Sequence, residues 1–312
     1  MKQYFKFIIV TIIMVLIIIP TTVLGIICFP KGTFHSSYQN MIVDKYRILQ
    51  TTNEPKIIIV SGSSSSFGLD QNMLEEQTGY KVANLGLHAG FGHLFYSELA
   101  KENINPGDIV LLGYEYGWEE GFDHLGQDLI MTGIDENIDM YKHIPINHWK
   151  DFIGYLFIFA ETKATFQEAH GIYSRDAFDD HTCQMTMERE YEMDYENNKE
   201  LYSEIDLTNV KISDNAITYL KKYKKYVESK GAQIYFVSPP VLKKAIGSDY
   251  QEFQNLKLQE EDKIGIPYIS NPEDYFFEDE LMSNGKYHCS TIGEKVRTEL
   301  LIDDLKKAHV IP

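Results

Sequence analysis

Five short apolar runs, at 57–60, 81–84, 108–112, 233–237 and 268–269, restrict this chain more than any other feature. Most are rich in β-branched or aromatic residues, which suit a pleated and buried strand. The first, third and fourth run into Gly, Ser or Pro turns. Amphipathic stretches separate most of them, and strands alternating with helices predict a parallel sheet covered by helices. Residues 213–230 place Ala216, Ile217, Leu220, Tyr223 and Val227 on one helical face, with Ser213 as N-cap and Gly231 as the stop. Residues 293–307 repeat the pattern with Val296, Leu300, Leu301 and Leu305. The expectation is an α/β fold with a small, flavodoxin-like sheet of five strands.

The N-terminus sets a second constraint. No charge occurs between Lys6 and Lys31, and a helix of that length runs about 36 Å, enough to cross a bilayer. With Lys2 and Lys6 kept inside, residues 1–30 read as an uncleaved signal anchor and the remainder as exported. A signal peptide cleaved near Val23 or Gly25 is the alternative. Cys28 follows Ile27, where a lipid attachment site wants a small residue. Residues 31–54 read as a polar stalk and 55–312 as one domain. The α/β rhythm breaks at about 119–211, which reads as an insertion: an apolar helix at 149–166, then an acidic, Tyr-rich stretch at 187–206 suited to a flap over the strand ends. Cys28, Cys183 and Cys289 are too few and too widely spaced for a disulfide framework or a zinc site, leaving one Cys183–Cys289 bridge conceivable.

A net charge of −17, with no basic stripe, argues against a nucleic-acid partner. Phosphate-loop, dinucleotide and zinc-protease motifs are absent, so no cofactor and no metal is expected. Ligands of open α/β sheets gather beyond the carboxyl ends of the strands. There the chain carries SGSSSS (61–66), NLGLHAG (84–90), GYEYGW (113–118), SPP (238–240) and, before the last helix, NGKYHCSTIG (284–293). These supply a serine, a histidine and glycine-rich turns, which acyl transfer needs: a hydroxyl activated by a base, and donors for the oxyanion.

IIIVSGSS, VANLGLHAG and YHCSTIG resemble, in order, the first, second and histidine-bearing blocks of the SGNH (GDSL-type) hydrolase superfamily. Together with GDIVLLGYEY, they are similar to membrane-anchored SGNH-like proteins that accompany membrane-bound O-acyltransferases in decorating surface polymers, the D-alanine transfer protein among them. The resemblance covers about 55–118 and 232–305. It implies a three-layer α/β sandwich, an acyl or acetyl transfer or ester hydrolysis on a cell-surface polysaccharide, a membrane O-acyltransferase as partner, and an extracytoplasmic domain. Laid on the family's Gly-Asp-Ser, Gly62-Ser63-Ser64 puts Ser64 at the nucleophile, with Ser63 the alternative if the turn is one residue tighter. His288 takes the general base. The family's aspartate, three residues earlier, is Gly285 here, so Asn284 is expected to hold the imidazole, with Asp279 or Glu280 as alternatives. The backbone N–H groups of Ser64 and of Ala89 or Gly90 are the oxyanion donors. Glu115 stands where the family has an oxyanion asparagine; it, Asn84, Ser63 and His88 are candidates for binding substrate, and the aromatic residues of YEYGW for stacking on sugar. The departures at 285 and 115 also fit a surface scaffold or glycan-binding module that has lost efficient chemistry.

Overall fold

The computed structural model describes residues 2–192 and 203–312. In chain order the elements used below are α1 (Lys2–Cys28), α2 (Met41–Thr51), β1 (Lys56–Ser61), α3 (Ser63–Ser66), α4 (Gln71–Thr78), β2 (Lys81–Asn84), α5 (His93–Ala100), β3 (Ile109–Gly113), α6 (Trp118–Gly121), α7 (Gln127–Ile134), α8 (Trp149–Thr165), α9 (Asp214–Ser229), β4 (Gln233–Phe236), β5 (Val241–Leu242), α10 (Tyr250–Ile264), β6 (Phe276–Phe277) and α11 (Thr291–Lys307).

The chain is a mixed α/β protein around a short parallel sheet of four strands in the order β2-β1-β3-β4. β1 is buried along its whole length, as the run of isoleucines requires, because side chains alternate between faces and both faces are covered. Ile58 and Val60 enter one core with Val110 and Leu112, while Ile57 and Ile59 enter the other with Ile109, Leu111 and the α11 residues Leu301, Ile302 and Leu305. At the start of the sheet, Lys56 and Asp108 form a fully buried ion pair of 2.7 Å. Asp108 also accepts from the backbone N–H groups of Lys56 and Asn105, which satisfies the buried charges and fixes the register of β1 against β3.

Four of the five expected strands form within a residue of their predicted ends. The fifth does not: Tyr268 makes an isolated parallel bridge to Phe236, beside β4. A separate two-stranded parallel sheet, β5-β6, lies outside the main one. The two expected helices are present as α9 and α11, each capped by a serine, Ser213 accepting from Ala216 N and Ser290 from Gly293 N. The helix expected at 149–166 is α8.

Residues 31–54 are not a stalk. Phe34 and Tyr38 are buried, and α2 sends Met41, Ile42, Tyr46 and Leu49 into the main core. Its buried Lys45 donates to Asn84 O and Cys183 O, both at 3.2 Å. The domain therefore begins where the apolar N-terminal helix ends. Helix α1 is long and apolar enough to span a membrane, and a signal sequence meets the same test. Cys183 and Cys289 are buried and both are free, so the conceivable bridge does not form. The acidic stretch is described up to residue 192 and from 203; the part between, on which much of the expected flap falls, lies outside the described residues. The described edge is fixed: Arg189 exchanges hydrogen bonds with Thr291 and forms a buried ion pair with Glu294.

Candidate active site

The carboxyl ends of β1, β2 and β3 deliver three loops to one rim. Ser61 closes β1, Gly62 turns the chain, and the four serines wind into the single turn of α3. Successive residues of a helix point about 100° apart, so the four hydroxyls face four ways. Ser64 Oγ meets Ser61 Oγ at 3.0 Å, Ser65 Oγ meets Asn84 Oδ1 at 3.1 Å, and Ser66 Oγ donates to Gly86 O at 2.6 Å. All three are buried, whereas Ser63 is partly exposed.

Ser63 is the serine that meets the histidine. Its Oγ lies 2.9 Å from His288 Nε2, and His288 Nδ1 lies 2.9 Å from Asn284 Oδ1. This corrects the expectation for Ser64: the turn is one residue tighter than the Gly-Asp-Ser alignment implies, and the Ser64 hydroxyl faces inward to Ser61. Asn284 stands where it was expected. Asp279 is paired with Lys244 on the surface. A Cβ on Gly285 would sit 3.1 Å from His288 Nδ1, so the neighbouring backbone also runs beneath the ring.

The hydrogen bonds assign the tautomer. An amide oxygen can only accept, so Nδ1 carries the proton toward Asn284 and Nε2 is free to accept from Ser63. The ring is stacked on Phe67, with centroids 4.0 Å apart and planes 7° from parallel, and the Arg189 guanidinium lies over the Phe67 ring, 5.8 Å from its centroid. Burial, then the nearby His88 and Arg189, push the imidazole down to about 3. The ring is thus held uncharged near neutral pH.

Two further loops shape the site. Asn84 is buried and clasps the serine turn: Oδ1 accepts from Gly86 N at 3.0 Å, and Nδ2 donates to Ser65 O at 3.0 Å. It is a strut between β1 and β2, not a substrate ligand. Gly86 permits this approach, since a Cβ there would collide with Ser65 Oγ. His88 is turned to its own loop, its Nδ1 accepting from Gly90 N at 3.0 Å, and burial lowers its pKa.

Glu115 is buried behind the serine turn. Its Oε1 accepts from Ser64 N at 2.8 Å, its Oε2 has no partner among the described residues, and a Cβ on Gly62 would collide with the carboxyl group. Burial raises its pKa, against the hydrogen bonds from Ser64 and the charge of Arg297. Arg297 is itself engaged with the Ser64 carbonyl. Two expected oxyanion donors are therefore spent, Ser64 N on Glu115 and Gly90 N on His88. Among the described residues the N–H groups of Ser63 and Ala89 have no partner. Both residues border a cavity of about 430 Å³ that Glu115, Tyr116, Trp118 and Tyr287 also line. Trp118 is nearly fully buried and packed on Phe236, so it serves the core; Tyr116 and Tyr287 are partly exposed at the cavity.

Sequence reasoning missed Phe67, Arg189 and Arg297. Phe67 follows the serine run directly, and its apolar face was the one available signal. No His, Cys, Asp and Glu group among the described residues has the arrangement of a metal site. No protein-family model matches the chain, and no curated protein matches it. Among solved structures, the crystal structure of protein YxiM from Bacillus subtilis aligns with 13% identity and a TM-score of 0.38, over 83% of this chain and 58% of that one, so the chain spans less than two thirds of that structure's length.

Proposed function

We propose that this protein is a serine-dependent O-acyltransferase or esterase of SGNH type, working outside the cytoplasm on a surface polysaccharide from a membrane anchor. One observation carries the reading: a partly exposed serine hydroxyl, a neutral imidazole and an orienting amide in hydrogen-bond series, Ser63–His288–Asn284, at the rim of a cavity. A serine and a His–Asn pair more than 200 residues further along the chain converge in the order that nucleophilic catalysis needs. The strand order, with Tyr268 bridging beyond β4, supports a flavodoxin-like sheet of the SGNH kind.

In this mechanism the Ser63 hydroxyl attacks the ester carbonyl carbon as its proton passes to His288 Nε2. The carbonyl π electrons move to oxygen, where the Ser63 and Ala89 N–H groups face the charge. Collapse expels the first alcohol with the proton from His288, leaving an acyl-serine. A sugar hydroxyl or water then attacks the acyl carbon as its proton passes to His288, and His288 returns that proton to the Ser63 oxygen as the acyl–serine bond breaks. An ionised Glu115 would repel the oxyanion; in the neutral form favoured by burial, its Oε2–H donates to it, as an amide would. Tyr116 and Tyr287 offer aromatic faces for a sugar ring. A multi-pass O-acyltransferase in the same membrane is the partner this chemistry calls for, as the source of acyl groups.

The test is a burst experiment with p-nitrophenyl acetate. The wild type should release a fast first equivalent of nitrophenol and carry an acetyl group on Ser63 after acid quenching; Ser63→Ala should do neither. A folded wild type with no burst and no acetyl-serine would leave the other reading, a glycan-binding scaffold.

A further inference from the structure

We infer that α8 rests on the same bilayer that α1 enters, with Ile153, Phe157 and Ile158 set into the boundary between headgroups and acyl chains. The inference depends on the reading that α1 spans the membrane, and it adds a second membrane contact that fixes how the active-site domain is held.

The first argument is length. Counting from Phe7, a hydrocarbon core of about 30 Å takes up roughly 20 residues at 1.5 Å each. That carries the span to the neighbourhood of Ile26. Val23, Ile26 and Cys28 already pack on the domain core there, and Ile27 is buried in it. No spacer separates the bilayer from the domain, because residues 31–54 fold into the core as well. The face of the domain around the end of α1 therefore lies at headgroup level.

The second argument is place. α8 packs against α1, and the two are locked by Lys163, whose Nζ donates to Ile27 O at 2.7 Å while pairing with buried Asp135 at 2.6 Å. The third is composition. From Phe152 to Ala160 the helix carries no charge. Phe152, Leu156 and Phe159 turn inward, yet Ile153, Phe157 and Ile158 are 58%, 81% and 53% exposed. A helix facing water would be polar on that side. Lys150, Asp151 and Glu161 bracket the apolar segment, as in helices that lie in an interface plane. Ile146, just before α8, and Phe29, just after α1, are exposed as well. With a net charge of −17, attraction to anionic lipid is not the driving force; burial of these side chains is.

The experiment uses the full chain in phosphatidylcholine vesicles whose acyl chains are brominated either near the headgroup or near the chain end. Phe157→Trp and Leu16→Trp are compared with the wild type, whose Trp118 and Trp149 set the background. Phe157→Trp is expected to lose emission to the shallow bromines and Leu16→Trp to the deep ones. Deep quenching of Leu16→Trp with no quenching of Phe157→Trp at either depth overturns the placement of α8 and leaves its apolar face to water or a protein partner. No quenching of Leu16→Trp overturns the anchor, and this inference with it.

Discussion

Replacing Asn284 by Asp converts the orienting amide into a carboxylate with almost no change of shape. The Asn284 oxygen sits 2.9 Å from His288 Nδ1, and an opposite charge at such range raises a histidine pKa by about 1–3 units. From about 3, the imidazole would move to roughly 4–6, and each unit is worth about 1.4 kcal/mol of preference for the imidazolium. The imidazolium is the form generated as Ser63 loses its proton, so part of that preference lowers the barrier. A gain of about 10- to 100-fold in the rate of Ser63 modification is expected. The sign of the acid limb follows: the neutral ring is the active base, so the acid fall of the wild type lies near pH 3, whereas the variant should lose rate as pH drops through its raised value. The assay is the second-order rate of reaction with a fluorophosphonate between pH 4 and 9. A variant with unchanged rate and an unchanged acid limb would refute the assignment of Asn284 as the partner of Nδ1.

Other substitutions separate struts from chemistry. Ser64→Ala removes a hydroxyl bonded to Ser61; Ser61 Oγ still donates to Gly113 O, so a loss of about 1 kcal/mol in urea unfolding is expected, with fluorophosphonate reactivity retained. Asn84→Ala leaves Gly86 N and Ser65 O without their buried partner and should cost about 2–4 kcal/mol in the same measurement. Glu115 donates only while protonated, so wild-type reactivity should fall as pH rises through its raised pKa. Glu115→Gln, a donor at every pH, should lack that alkaline fall when the rate profiles are compared.

What was legible in the sequence was what short-range physics decides. Runs such as IIIV have one use in a small α/β domain, and β1 to β4 formed there; Tyr268 makes only one bridge to Phe236 and no further pair beside it. Residues 41–51 were opaque because their apolar side chains lie in an 11-residue helix framed by polar residues, and only contact with the sheet's core reveals which face is buried. The serine run could not tell which of its hydroxyls meets the histidine. Four identical residues carry no signal of helical phase, and which hydroxyl reaches His288 is set by Gly62, Glu115 and Asn84 around the turn. Asn284 was readable from its spacing to His288. Arg189 was not, because it belongs to an acidic stretch and acts through Phe67 and Glu294, both distant in sequence.

The most direct test is to treat the full-length protein with a fluorophosphonate at neutral pH and map the modified residue by peptide mass spectrometry. The account predicts a single adduct on Ser63, lost in His288→Ala and in Ser63→Ala and kept in Ser64→Ala. An adduct on Ser64, or a native protein that takes up none, would contradict it.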